Sequence, residues 1–118
     1  MDKATKEQEE ALREFKSLVN LTPPQLEKWL ESAQSKEVGF KNEGETEAVG
    51  HQSGRRIVDI LRTSKSDLDE EDYAHMHQVI AYIKRHSAQR PSGDVTDTRW
   101  RYSLMNWGHD PLKERANS

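Results

Sequence analysis

Residues 68–87 read LDEEDYAHMHQVIAYIKRHS, and this stretch decides the fold. Tyr73, Met76, Val79, Ile80 and Ile83 recur at spacings of three and four, the period of one apolar helix face. Asp69 fits the N-cap. Glu70, Glu71 and Asp72 load the first turn with the sign that the helix dipole favours. Leu68, just before the cap, is placed to staple onto Tyr73. The spacing predicts a helix that runs to about Ser87.

Upstream, the same reasoning predicts three more helices. One begins near Ser53 and buries Ile57, Ile60 and Leu61, with Arg55, Arg56 and Arg62 projecting elsewhere. A second begins at Thr22-Pro23-Pro24-Gln25, where Pro23 suits the first helical position and Gln25 completes a capping box with Thr22. Its apolar face is Leu26, Trp29, Leu30 and Ala33. Residues 4–20 carry a third stripe of Ala11, Leu12, Phe15, Leu18 and Val19. Between the second and third of these four helices in chain order, residues 36–53 read as a long loop, slack or disordered. Gly39, Gly44, Gly50 and Gly54 lie in or beside it, among Glu43, Glu45 and Glu47.

Downstream, Arg90-Pro91-Ser92-Gly93-Asp94 reads as a turn. Thr96 or Asp97 can cap a short fifth helix bearing Trp100, Leu104 and Trp107, stopped by Gly108. Val38 and Val95 are isolated, and no strand is convincing. The expected architecture is an all-α, small single-domain bundle of four to five helices over residues 1–118. Its ends, about 1–6 and 112–118, are expected to be flexible.

Composition bounds the function. The 118 residues suffice for one domain, and 32% apolar content leaves a small core. The 18 basic and 21 acidic residues nearly cancel, which argues against wholesale disorder. With no cysteine, disulfides, zinc–thiolate sites, iron–sulfur clusters and thiol nucleophiles are excluded. No apolar run is long enough to span a bilayer and no signal pattern is present, so a soluble, cytoplasmic protein without membrane contact is expected. Charge is uneven. Residues 1–50 hold 7 basic and 11 acidic residues, and residues 51–118 hold 11 basic and 10 acidic, together with all 5 histidines.

Four features bear on chemistry. The helices on either side of Thr63–Asp67 resemble a helix–turn–helix pair. A recognition helix there would aim Asp69, Glu70, Glu71 and Asp72 at phosphates, which repels, so plain packing of Ile57 and Ile60 on Met76 and Ile80 is expected instead. Residues 84–107 combine Lys84, Arg85, Arg90, Arg99 and Arg101 with Trp100, Tyr102 and Trp107. Such cations neutralise phosphates, and exposed rings would stack on bases. The spacing of Trp100, Leu104 and Trp107 favours a core role for the tryptophans. Gly50-His51-Gln52-Ser53-Gly54-Arg55-Arg56 places glycines and two arginines at a helix start, without matching a phosphate loop; His51 or Ser53 is the expected cap. His75 and His77 point to different helix faces, and no histidine spacing suits a metal. No metal and no cofactor are expected. A catalytic constellation has only the surroundings of His51 and His109 behind it, so no catalytic residue is expected and the protein is read as non-enzymatic.

Two blocks together look familiar: Val49-Gly50-His51-Gln52-Ser53-Gly54-Arg55-Arg56-Ile57-Val58, and the stretch from Asp72 to Met76 through Ile83–His86 and Gln89-Arg90-Pro91 into WRYSLMNWGHDP at 100–111. With Phe15 to Leu30 ahead of them, they resemble a small family of bacteria and fungi known as domain of unknown function 3140, over roughly residues 10–113. The terminal run is its most specific part. Some members carry the label DNA-binding protein, which implies nucleic-acid binding, and no catalytic residues come with the family.

The leading expectation is therefore a weak DNA- or nucleic-acid-binding module. Its surface is drawn from Arg55, Arg56, Lys84, Arg85, Arg90, Arg99 and Arg101. Charge reversal at Arg99 and Arg101 is expected to weaken binding without unfolding the domain. The alternative is a protein–protein interaction domain, with a homodimer built on Trp100 or Trp107 as one form.

Overall fold

The helices begin where a side chain can satisfy their first, unpartnered amides. In the computed structural model, residues 5–38 and 48–113 are described. Helix α1 (Lys6–Leu18) starts at Thr5, whose hydroxyl accepts from the Gln8 amide while Gln8 Oε1 accepts from the Thr5 amide. Helix α2 (Pro23–Leu30) repeats this reciprocal box with Thr22 and Gln25. Ser32 caps the short α3 (Ala33–Glu37). Helix α4 (Val49–Arg62) starts at Ala48, which has no side chain able to cap. A 3-10 turn (Lys65–Asp67) leads to α5 (Glu70–Ser87), opened by Asp69 and Asp72 in a third capping box. Thr98 caps α6 (Arg99–Asn106). The described residues form helices and no strands, the small all-α architecture expected.

Two pairings and a keystone organise these elements. Helix α5 packs chiefly on α1, and α4 chiefly on α2. Helix α6 touches α2, α3, α4 and α5 and closes the bundle. One apolar cluster runs through α1, α2, α4, α5 and α6, with Phe15, Leu26, Ile57, Met76, Val79 and Leu104 fully buried. Each such side chain contributes about 1.5–3 kcal/mol relative to exposure. Gly54 lets α4 approach α6: a Cβ there would lie 2.5 Å from the Asn106 carbonyl oxygen and 2.7 Å from Leu30.

Several expectations need correction. Helix α4 starts at Val49, so Gly50, His51, Gln52 and Ser53 are helical, and neither His51 nor Ser53 is its cap. The loop expected over 36–53 is shortened from both ends by α3 and α4; the expected disorder falls on residues 39–47, outside the described residues. Val38 and Val95, isolated apolar residues in the sequence, form no strand and are each 1% exposed. Ala33 does not extend the apolar face of α2; it opens α3 and is exposed. Helices α4 and α5 are not the packed pair expected, because each lies mainly on another partner. Of the ends expected to be flexible, Thr5 and Lys6 enter the capped start of α1 and the Lys113 ammonium donates to the Asn20 carbonyl; residues 1–4 and 114–118 lie outside the described residues.

Candidate functional site

The seven candidate cations fall into two groups. Four are engaged by the fold or set among acids. Arg56 on α4 bridges to Asp72 on α5 at 2.9 Å. Lys84 on α5 pairs with Glu14 on α1. Arg101 grips Asp110 with two prongs, Nε to Oδ1 and Nη2 to Oδ2, both 3.0 Å, and gives Nη1 to the Thr96 carbonyl. Arg55 lines a groove between α2 and α4 together with Glu27, Glu31 and Asp59.

Arg85, Arg90 and Arg99 form the second group. None has a carboxylate partner among the described residues. Arg90 sits over the Trp100 ring, its guanidinium carbon 5.4 Å from the centroid. Arg99 Nη2 donates to the Glu37 carbonyl at 3.1 Å. Arg85 lines a cleft with Ser103, one turn along α6 from Arg99. All three are exposed; Arg90 and Arg99 lie at the first turn of α6 and Arg85 beside its second.

That cleft, about 450 Å³, opens between the first turn of α4 and the facing sides of α5 and α6. Tyr82 and Trp107 form its aromatic wall, stacked at 4.3 Å and 13°. They belong to a run of near-parallel rings: His75 with Trp107, Trp107 with Tyr82, Tyr82 with His86, and His86 with Trp100. Burial raises the Tyr82 hydroxyl above its usual range, against lowering by Ser103 and Arg85. Arg85 is the charged residue on the cleft lining, and no carboxylate joins it there.

Trp100 and Trp107 are each 9% exposed and belong to the core. A homodimer built on either ring therefore has no exposed aromatic face to bury, and single-strand stacking has no tryptophan platform. Leu112 is the one strongly exposed large apolar residue among the described residues. Tyr102 is half-buried, packed on Trp29 at 5.4 Å, and donates to Asp97.

The histidines hold the frame. A ring N–H of His51 donates to the Leu30 carbonyl at the end of α2, at 2.6 Å. His109 Nδ1 does the same for Leu18 at the end of α1, at 2.7 Å. His51 lines the α2–α4 groove, and His109 is not on that lining. His75 Nε2 lies 2.9 Å from Ser53 Oγ. Burial and the Arg56 charge lower the His75 pKa, against raising by Ser53 and Asp72. Ser53 is 4% exposed, which closes this Ser–His pair to a substrate. No metal-ligand cluster occurs among the described residues, and none of their helices is long and apolar enough to cross a membrane.

Sequence reasoning missed the role of the terminal run. Asn106, 1% exposed, accepts from Trp29 Nε1 at 2.7 Å and Ser35 Oγ at 2.5 Å, and donates to the Ser35 carbonyl. Asn20 and Asp110 exchange two hydrogen bonds, at 3.0 and 2.8 Å. Gly108 adopts φ 82°, a left-handed stop, and its carbonyl accepts from the Leu21 amide. The WRYSLMNWGHDP run is thus the clasp of the bundle. The comparisons agree with the earlier resemblance: no curated protein and no solved structure matches the chain, but the family model "Protein of unknown function (DUF3140)" matches residues 14–105. That match spans most of the chain, and the protein belongs to this family.

Proposed function

We propose that the protein is a non-enzymatic module that binds nucleic acid through its phosphates, on the patch formed by Arg85, Arg90 and Arg99. The observation that carries this reading is that three exposed guanidiniums on one side of α6 have no carboxylate partner among the described residues: Arg99 and Arg90, over Trp100, at its first turn, and Arg85 on a cleft with Ser103, one turn further on. A guanidinium over a ring, like Arg90, keeps its edge N–H groups for an anion. Arg56, Lys84 and Arg101 are set aside, because each already faces a carboxylate. The acidic first turn of α5 keeps that helix end off the phosphates.

The test is a fluorescence-anisotropy titration of labelled duplex and single-stranded DNA at several salt concentrations. Three phosphate contacts predict a log–log salt slope of about −2.7 on duplex, or roughly 40-fold weaker binding at 200 mM than at 50 mM salt. Arg90→Glu with Arg99→Glu should weaken binding at least tenfold while circular dichroism stays unchanged. No binding at low salt, or a slope near zero, overturns the reading.

A further inference from the structure

Resting on the nucleic-acid reading above, we infer that the Arg85–Arg90–Arg99 patch takes the double helix, by its phosphates alone and without regard to base sequence. The partner is thereby narrowed to one form of the polymer. Two observations carry this.

The first is the state of the rings. Proteins hold single strands by stacking bases on free aromatic faces, worth about 1–3 kcal/mol per base. Among the described residues no Trp, Tyr or Phe is exposed. Trp100, beside the patch, is 9% exposed, with His86 stacked on it and the Arg90 guanidinium over it. Tyr82 stacks with Trp107 and His86, and the half-buried Tyr102 packs on Trp29. A single strand therefore meets cations here but no platform. A duplex compensates by charge density. One helical turn of α6 is about 5.4 Å long, and a duplex presents about three charges over that length, twice what one of its strands presents.

The second is that no element beside the patch can enter a groove. Base edges are read by a helix or ribbon that reaches into a major groove about 8.5 Å deep. Helix α6 bears Arg99 but lies against α2, α3, α4 and α5, with Trp100, Leu104 and Asn106 buried. Arg90 is held over Trp100 and Arg99 on the Glu37 carbonyl. Helix α5 brings Arg85 from its last turn, while its first turn is acidic. The guanidiniums thus meet the outside of the double helix, where every sequence carries the same phosphates.

The experiment is a competition on the full chain at low salt. A labelled DNA duplex is displaced by unlabelled competitors of one length: an AT-rich duplex, a GC-rich duplex, their separate strands, and an RNA duplex. The three duplexes should compete within about threefold of one another, and the strands at least about fivefold less well. Salt slopes should lie near about −2.7 for the duplexes and about −2.1 for the strands. Tyr102→Leu, with circular dichroism unchanged, should leave competition by the strands as it was. Strands that compete as well as duplexes, or a loss of strand binding in Tyr102→Leu, overturn the preference for the double helix. A preference of more than about tenfold among the duplexes overturns contact through phosphates alone. These outcomes leave the nucleic-acid reading standing, whereas no binding of the labelled duplex overturns both together.

Discussion

Arg101 and Asp110 hold each other through two parallel hydrogen bonds of 3.0 Å across the end of α6, with side chains only 19% and 13% exposed. Burial raises the Asp110 carboxyl, but the Arg101 hydrogen bonds and the Leu112 amide outweigh it and hold it below the ordinary carboxylate range. Asp110 also ties to Asn20, so the pair fastens the chain's last described turn to the α1–α2 junction. The expectation that reversing Arg101 would only weaken ligand binding gives way to a structural one. Arg101→Glu should cost about 3 kcal/mol of stability, the range for breaking a desolvated pair on one side. Urea denaturation reads it directly. A midpoint unchanged from the wild type would show that the pair contributes nothing.

Asn106→Ala should cost about 2–4 kcal/mol. The substitution strands the Trp29 indole N–H and the Ser35 hydroxyl together, and each orphaned buried donor costs about 1–3 kcal/mol. Asn106→Asp separates the two roles of this carboxamide. It keeps an acceptor for Trp29 but loses the donor to the Ser35 carbonyl and buries a charge. Thermal unfolding of the two variants should rank both well below wild type. Equal stability of Asn106→Ala and wild type would remove the knot from the account of the fold.

What was legible in the sequence follows from how local each signal is. The Asp69 cap and the Thr22–Gln25 box each act within one helical turn, and both form as read. The start of α4 was misread because its local signals are inverted. Two glycines in a helix argue for a loop until one sees that Gly54 admits the Asn106 carbonyl and Gly50 admits Trp107. Those reasons sit some fifty residues away in the chain. Arg101 was read as surface for the same cause, since nothing near it in sequence shows that Asp110 returns to meet it. The cleft was invisible because it draws on α4, α5 and α6 at once. The small core expected from 32% apolar content is still one continuous cluster, because Trp100, Trp107, Tyr73 and Met76 help to fill it.

Gly54→Ala tests that long-range reason through its sign. In an exposed helix interior, alanine for glycine stabilises by about 1 kcal/mol. Here the added Cβ meets the Asn106 backbone oxygen at 2.5 Å and Leu30 at 2.7 Å, and a backbone atom cannot swing aside. The substitution should destabilise by about 1–3 kcal/mol, the range for overpacking. A rise in melting temperature would mean that α4 and α6 are not held in this close crossing.

His86 predicts the pH response. Its ring lies between Tyr82 and Trp100 in the stacked run, and its buried Nε2 has no partner among the described residues. Burial lowers its pKa, against raising by Trp100, and the Arg85 charge lowers it further. The cation Arg90, on the far ring of the stack, adds no acceptor. His75 is lowered too, by burial and Arg56. A histidine with a depressed folded pKa binds fewer protons folded than unfolded. Its contribution is therefore complete above the unfolded value, about 6.5, and is lost as pH falls below it toward the folded pKa. The melting temperature should hold between pH 8 and 7 and drop between pH 6.5 and 5. His86→Phe keeps the stack and deletes the orphaned nitrogen, so it should be at least as stable at pH 7 and should lessen the acid drop, leaving the His75 part. If the variant and the wild type lose stability in parallel, His86 is not the group that titrates.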